Sequence, residues 1–235
     1  MSAPDARPPR PGVFAEILFI LWKDLLIEWR GKARGVALGT YALTLMLLFA
    51  FAIGPDNAAL RSHAAAYLWL TALSASTLLL AQSFQVEVES GALEGLLLVP
   101  LRPASIFYGK VISNTLMLIG LEIIGLCVGL VIFDMPMPSA GPLLAVLALG
   151  AAGIAAPGTV YAALTARLAA QHVVLPVLLF PLVVPTALAA VKATSLLMHG
   201  DPMGDLPSWL QLLVAVDVVY WAMGGPLFDW LVRDP

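Results

Sequence analysis

Long apolar segments without charge recur along this chain, and they constrain its fold more than any other feature. The first, 36–53, contains no charged residue and ends at a Gly-Pro-Asp-Asn turn. A bilayer core of roughly 30 Å requires about 20 mostly apolar residues in a helix. Only 11% of the 235 residues are charged, compared with about 25% in ordinary soluble domains, and mean hydropathy is +0.93. The chain is therefore predicted to be an all-α integral membrane protein.

Five further segments are long and apolar enough to cross a bilayer, which predicts six spans in all. Three prolines in the fifth could instead make it a broken or re-entrant helix, which would move the C-terminus to the opposite side. The residues between the last two spans, 192–208, are predicted to form a loop. The predicted spans after the first are 64–84, 111–133, 142–166, 173–191 and 209–230.

The N-terminal region, 1–35, is predicted to be a tail and an interfacial helix ahead of a six-span domain at 36–235. Residues 1–12 are proline-rich and favour a solvated tail. From 13 to 30 apolar residues recur at helical spacing, but five charged residues among them make this helix too polar to span. No small-residue cleavage site follows, so we predict an uncleaved amphipathic helix on the membrane lipid, with Trp22 and Trp29 at headgroup level.

The positions of lysine and arginine predict the orientation, because short loops rich in these residues stay cytoplasmic. With the N-terminus inside, ten of the twelve basic residues fall in cytoplasmic segments, and only Arg61 and Lys192 fall outside. Both termini and the stretch 84–110 are therefore expected in the cytoplasm.

The stretch 84–110 is the longest polar interruption between apolar segments. Glu87, Glu89 and Glu94 keep it in water. Gly91 can break the incoming helix, and 92–98 can form about two turns of a new one before the prolines at 100 and 103 stop it and restart the chain. The sequence therefore predicts a short cytoplasmic helix between spans 2 and 3.

That short helix has an apolar face, because Leu93, Leu96 and Leu97 occur at i, i+3 and i+4 while Glu94 points elsewhere. An apolar face in the cytoplasm requires a partner. The alternative interpretation is a solvated loop with a helical turn.

Motifs for energy coupling or catalysis are absent from the sequence. It contains no G-x-x-x-x-G-K-[ST] loop for ATP, no H-E-x-x-H, no C-x-x-C pair and no G-x-S-x-G. We therefore expect a non-enzymatic membrane protein, and no nucleic-acid partner. The single cysteine, Cys127, is interpreted as a packing residue.

The stretch Glu87 to Lys110, E-V-E-S-G-A-L-E-G-L-L-L-V-P-L-R-P-A-S-I-F-Y-G-K, resembles the cytoplasmic signature of six-span ABC-2-type permeases. Within them it is most similar to the haem exporter protein B (CcmB) family of cytochrome c maturation. The helix K-D-L-L-I-E-W-R before the first span and the G-P-D turn after it also resemble that family.

The resemblance implies a permease subunit in a bacterial inner membrane, for haem export or haem-chaperone release. It implies four partners: an ATPase subunit that binds ATP, a haem-handling membrane subunit, a small membrane subunit and a periplasmic haem chaperone. Haem would be handled by the complex, and we expect no cofactor bound by this chain itself. By this analogy the ATPase-coupling residues are Glu87, Glu89, Gly91, Leu93, Glu94, Leu96, Leu97, Pro100 and Pro103.

Two acidic residues, Glu122 and Asp217, fall within predicted spans. An ionisable group in the bilayer is costly and suggests function with a facing partner, although a neutral acid can also serve packing alone. Candidate partners for Glu122 are Asn114, Tyr161 and Thr165. The three histidines, His63, His172 and His199, fall near span ends or in loops and are interpreted as unliganded, although haem would require an axial histidine.

Two other functions remain open at this point. The chain could be the permease of another ABC-2 exporter that moves a lipid, glycan or drug. It could also be a membrane scaffold or channel that recruits no ATPase.

Overall fold

The computed structural model of the chain describes residues 12–85, 88, 102–136, 139–166, 168 and 170–233. Within those residues the chain is a bundle of seven helices without strands. The helices are α1 (Val13–Arg30), α2 (Lys32–Ile53), α3 (Asn57–Gln82), α4 (Pro103–Ile132), α5 (Ala140–Thr165), α6 (Gln171–His199) and α7 (Leu206–Arg233).

The helices α2 to α7 are each long and apolar enough to cross a membrane, which confirms the predicted all-α fold and its six spans. Several helices are longer than the apolar segments that predicted them. The residues 192–199 were assigned to a loop, and that prediction is wrong because α6 continues to His199. The helix ends there because Gly200 adopts a positive φ of 96°, a conformation that favours glycine.

The residues 103–110 were assigned to the polar stretch, and that prediction is also wrong. They form the first two turns of α4, with Pro103 at the start of the helix, where its missing N–H costs no hydrogen bond. Most of their side chains are buried, including Ile106, Phe107 and Lys110. Gly109 and Lys110 therefore lie in the bundle rather than in a loop.

Helix α6 is continuous although it contains Pro176, Pro181 and Pro185. Side chains fix it to α3 at two levels of the bundle. Gln171 Nε2 donates to the carbonyl oxygen of Ala81 at 3.0 Å, and Trp69 Nε1 donates to Thr194 Oγ1 at 2.9 Å. Neighbouring helices in a membrane protein can satisfy the backbone groups that prolines leave free, which is consistent with a helix that continues through all three prolines.

The centre of the bundle is formed by α4 and α5, which together contact all of the other helices. Small residues permit close approach there. A methyl group added at Gly150 would lie 2.0 Å from the Trp69 ring, and one added at Gly158 would lie 2.3 Å from Leu80 Cδ1. Side chains of α3 therefore occupy the space beside these glycines, as in the close helix packing that small residues permit in a bilayer. By contrast α2 is peripheral, with only Leu38, Ala42 and Met46 buried.

Helix α1 lies mainly against α4. The closest approach is at Gly109, where an added methyl group would lie 2.7 Å from Ile20 Cβ. The outward face carries Phe14, Trp22 and Trp29, which are 78%, 68% and 79% exposed. The predicted helix at 13–30 is thus present, and its location in the membrane interface stays a prediction.

Cys127 lies on the outside of the bundle and is exposed. Its interpretation as a packing residue within the chain is therefore wrong. The reason is its position on α4: the neighbouring Gly125 and Leu126 point inward, while residues 123, 124 and 127 share the outward face.

Candidate functional site

Five charged side chains at the end of the bundle that carries α1 form a partly buried cluster, which we call the polar clamp. They come from three helices, and each makes a contact across helix boundaries or to a helix end. The polar clamp consists of Glu16, Asp24 and Glu28 on α1, Arg34 on α2, and Lys110 on α4.

The Lys110 side chain is 1% exposed and joins three helices. Its Nζ lies 3.3 Å from Asp24 Oδ2 and donates to the carbonyl oxygen of Ser83 at 2.8 Å. It also lies 4.6 Å from the centre of the Phe84 ring, a cation–π distance. Lys110 therefore ties the start of α4 to α1 and to the residues that follow α3.

Arg34 connects α2 to α1 and α3 in a similar way. Its Nη1 lies 3.2 Å from Glu28 Oε2 on α1, and its Nη2 donates to the carbonyl oxygen of Leu79 at 2.8 Å. Both partners of the ion pair are about one-fifth exposed, so the pair contributes less than a fully desolvated one.

The last turn of α3 is held by side chains from three other helices. A helix leaves its last carbonyl groups without intrahelical donors, and cations are favoured at that end. Here the carbonyl oxygens of Leu79, Ala81 and Ser83 accept from Arg34, Gln171 and Lys110. The end of α3 is therefore fixed relative to α2, α4 and α6.

Glu16 connects α1 to the residue before α4. It is 1% exposed, and its Oε2 accepts from the backbone N–H of Arg102 at 3.3 Å. A cavity of about 20 Å³, enough for one water molecule, lies within this region. Its polar lining comprises Asp24, Glu28, Arg34, Gln82, Ser83, Ser113 and Asn114.

The polar clamp was not recognised from the sequence, where the charges of α1 served only to show that this helix does not span. A signal was present: Glu16, Ile20, Asp24 and Glu28 recur every four residues and therefore share one face of a helix. Arg34 and Lys110 were counted only as indicators of orientation. Their burial depends on tertiary contacts with α3, which local spacing does not encode.

Most of the predicted coupling residues lie outside the described residues: Glu87, Glu89, Gly91, Leu93, Glu94, Leu96, Leu97 and Pro100. Pro103 is the first residue of α4. The described residues on both sides of 89–101 belong to the region of the polar clamp, because Lys110 contacts Ser83 and Glu16 contacts Arg102.

Glu122 and Asp217 are both buried, at 1% and 8% exposure. Neither carboxyl group has a hydrogen-bond partner among the described residues. Two of the side chains proposed as partners for Glu122 are engaged elsewhere: Asn114 Nδ2 donates to Thr159 Oγ1 at 2.9 Å, and Thr165 Oγ1 donates to the backbone carbonyl oxygen of Tyr161 at 2.7 Å. No hydrogen bond joins Glu122 and Asp217.

The histidines lie at or near helix ends. His63 Nδ1 is 2.9 Å from the carbonyl oxygen of Ala59, and His199 Nδ1 is 3.0 Å from that of Ser195, so both make contacts within their own helices. His172 lies in the first turn of α6, at the same end of the bundle as the polar clamp.

Comparison with known proteins identifies the family. The model of the family described as CcmB protein matches residues 15–226, which extends from α1 into α7. The chain belongs to the CcmB family. The match covers both α1 and the segments that flank 89–101, so the polar clamp lies within the matched part of the chain.

Curated relatives in this family carry the name Heme exporter protein B. The chain is 28% identical over 213 residues to the protein from Bradyrhizobium diazoefficiens, covering 87% of this chain and 91% of the relative. It is 32% identical over 170 residues to the protein from Rhodobacter capsulatus, covering 71% and 77%. A third, from Paracoccus denitrificans, is 30% identical over 190 residues, covering 80% and 86%.

Proposed function

We propose that this CcmB-family chain is the permease subunit of an ABC-type complex that serves haem export in cytochrome c maturation. The observation that carries the proposal is the family match over 15–226, supported by relatives named Heme exporter protein B and by six helices able to span a membrane. ATP is bound and hydrolysed by a separate subunit, because this sequence contains no phosphate-binding loop.

The segment between α3 and α4 is the element through which that subunit acts. Its leucine face at 93, 96 and 97 docks on the ATPase, as an amphipathic helix does in a hydrophobic groove. The polar clamp supports this role, because a displacement of either flank pulls on Lys110 or Arg102 and hence on α1, α3 and α4 together. A short helix with fixed flanks can move several spans as one body.

The other partners in this proposal are a haem-handling membrane subunit, a small membrane subunit and a periplasmic haem chaperone. The complex lies in the bacterial inner membrane with both termini of this chain in the cytoplasm. The outward aromatic face of α1 and the exposed α2 are surfaces available to lipid or to these subunits.

ATP energy is used in this proposal to release a haem-loaded chaperone rather than to move haem through the bundle. The histidines that could bind haem iron lie near helix ends, and two of them contact backbone carbonyl groups of their own helices. Energy transfer to a partner subunit requires only the inner segment and the bundle that it moves.

The test is Leu97→Asp, which places a carboxylate on the docking face. We expect loss of ATPase co-purification and of mature cytochromes c, with normal amounts of the chain in the membrane. Leu98→Asp is the matched control, since position 98 lies off that face. If the Leu97→Asp variant co-purified with a normal amount of ATPase, the leucine face would not be the docking surface. Normal cytochromes c in a deletion strain would instead indicate an exporter of another substrate.

A further inference from the structure

Three helices bring oxygen atoms without partners together inside the membrane-spanning part of the bundle. Both carboxyl oxygens of Asp217 on α7 and the hydroxyl oxygen of Thr186 on α6 are buried and have no hydrogen-bond partner among the described residues. Asp217 is 8% exposed and Thr186 is fully buried. An unpaired polar group in a membrane interior is expensive and suggests a function.

Gly153 on α5 is where these groups meet. A methyl group added there would lie 2.6 Å from Asp217 Oδ1 and 2.9 Å from Thr186 Oγ1, so only glycine permits their approach to the backbone. Pro157 follows four residues later and has no N–H to donate to the Gly153 carbonyl group. The joint of α5, α6 and α7 therefore contains a carboxyl group, a hydroxyl group and a backbone carbonyl group without its usual donor.

Among the described side chains, no cation pairs with Asp217. On α7 itself Tyr220 donates to the carbonyl oxygen of Leu182 at 2.6 Å, and α5 contributes Tyr161, a neutral phenol. On α6 the charged or titratable side chains are His172 and His199 near its two ends and Lys192, which is exposed. On α4, Lys110 pairs with Asp24, while Glu122 and the phenol of Tyr108 carry no positive charge.

A proton is the ligand that suits this arrangement. A carboxylate without a cation is unstable in an apolar interior, whereas a neutral carboxylic acid can donate to a hydroxyl or carbonyl oxygen. Among the described residues there is no group of three side chains suited to a metal ion. Three oxygen groups of which one is acidic can share one proton.

An apolar groove of about 250 Å³ lies next to the joint, towards the end of the bundle that carries α1. It is lined by residues one or two turns from the three groups: Pro157 and Tyr161 on α5, Leu182 on α6, and Tyr220 and Gly224 on α7. Separation of these helices along the groove would admit water to Asp217.

We propose that Asp217, Thr186 and the Gly153 backbone form a proton-binding site in the membrane core. Asp217 holds the proton while α5, α6 and α7 are closed. When they separate, the O–H bond breaks, the proton passes to a water molecule and the carboxylate remains. The second half of this proposal, release during turnover, rests on the proposed function.

Infrared spectroscopy of the purified chain in lipid tests the site without requiring transport. In a Glu122→Gln background at neutral pH, we expect a carbonyl stretch from one neutral carboxylic acid. Asp217→Asn should remove that band. Thr186→Val should shift it, because the hydroxyl group beside the acid is removed, whereas Thr115→Val, which removes a hydroxyl bonded within α4, should leave it unchanged.

A spectrum without the neutral-acid band, or one that Asp217→Asn leaves unaltered, would overturn the site. If Asp217→Asn does not fold, the Thr186→Val shift decides alone. For release, the assembled complex is transferred to D₂O, and the deuterium shift of the band should develop several-fold faster during ATP turnover than at rest. Equal rates in a complex that hydrolyses ATP would overturn release while leaving the binding site and the permease function standing.

Discussion

Lys110 shows at the residue scale why composition alone can mislead about a single position. A lysine in a short polar stretch normally lies in water, and the positive-inside argument uses it in that way. Here its aliphatic stem is buried and its Nζ lies between Asp24 and the Ser83 carbonyl oxygen. Its charge is therefore compensated inside the protein rather than by solvent.

We expect Lys110→Met to lower the stability of the bundle by about 3 kcal/mol, because removing one member of a buried ion pair leaves the other uncompensated. Lys23 remains 3.0 Å from Asp24 and limits the loss. The apparent midpoint of thermal unfolding in detergent measures it. Lys192→Met, at an exposed position of α6, should leave the midpoint unchanged, and equal shifts for both variants would contradict the role of Lys110.

Asp201, in the turn between α6 and α7, provides a pH-dependent contact. Its carboxyl group accepts from the backbone N–H groups of Leu206 and Asp205 at 2.9 and 2.8 Å. The bond from Leu206 is the main cause that lowers the pKa of Asp201 below its usual range. A lowered folded-state pKa means that this contact stabilises the turn above the unfolded-state pKa and is lost as pH falls through the folded-state value.

Hydrogen exchange at the Asp205 and Leu206 amides should therefore accelerate, relative to neighbouring amides, when the pH falls below about 4. Asp201→Asn should remove most of this pH dependence, because the amide side chain does not titrate in that range. Asp205→Asn in the same turn is the control. Unchanged pH dependence in Asp201→Asn would assign the effect to another group.

At the scale of elements, the sequence predicted each spanning helix but not how α1 is oriented on the bundle. Apolar periodicity identified α1 as an amphipathic helix on the membrane lipid, with Trp22 and Trp29 at headgroup level, but it did not show which side chains would contact the bundle. In the structure Glu16 and Asp24 face α4, while Phe14 and Trp29 face outward. In a membrane the outside of the bundle is apolar, so the pattern alone does not determine which face lies against the bundle.

Helix α6 illustrates a second limit of local signals. Three prolines in a soluble helix would indicate breaks, and in the sequence they left open a broken or re-entrant helix at this span. Contacts of Gln171 and Thr194 with α3, near opposite ends of α6, hold the helix across the bundle. The sequence also did not predict the site around Asp217, because residues 153, 186 and 217 lie far apart in sequence and come together only in the folded bundle.

The close contact of α1 with α4 predicts the effect of Gly109→Ala. The added methyl group would lie 2.7 Å from Ile20 Cβ and 3.1 Å from the Ile17 carbonyl oxygen, so α1 must move. We expect a cost of about 1–3 kcal/mol, typical of overpacking. Trypsin should then cleave faster after Arg30 and Lys32, at the junction of α1 and α2.

Gly120→Ala is the control on the same helix, since an added methyl group there meets no atom within 4 Å. Its cleavage rate should equal that of the unmodified chain. Acceleration in Gly120→Ala alone, or in neither variant, would contradict the proposed contact between α1 and α4.

For the whole molecule, six spans place the polar clamp and the turn at 200–205 at opposite ends of the bundle. The orientation predicted from basic residues makes the clamp end cytoplasmic. In a Cys127→Ser background, Arg30→Cys should react with a membrane-impermeant thiol reagent only in inverted vesicles. Met203→Cys, at an 85% exposed position, should react in intact spheroplasts.

The two cysteine variants serve as mutual controls, because each reports on accessibility where the other is protected. Labelling of both from one side would contradict six crossings. Labelling with the sides exchanged would place the ATPase-docking segment outside the cell and remove the proposed coupling mechanism.

The anchoring of both flanks of 89–101 also has a consequence for sequence length. Because Lys110 holds the Ser83 carbonyl oxygen and Glu16 holds the Arg102 N–H, insertions or deletions between Ser83 and Arg102 need not alter the register of any spanning helix. The entropy of closing a loop changes slowly with its length. Changes in the length of this segment should therefore leave assembly of the bundle intact and be detected only as a change in export. The sequence features that determine folding can then change independently of those that determine coupling to the ATPase.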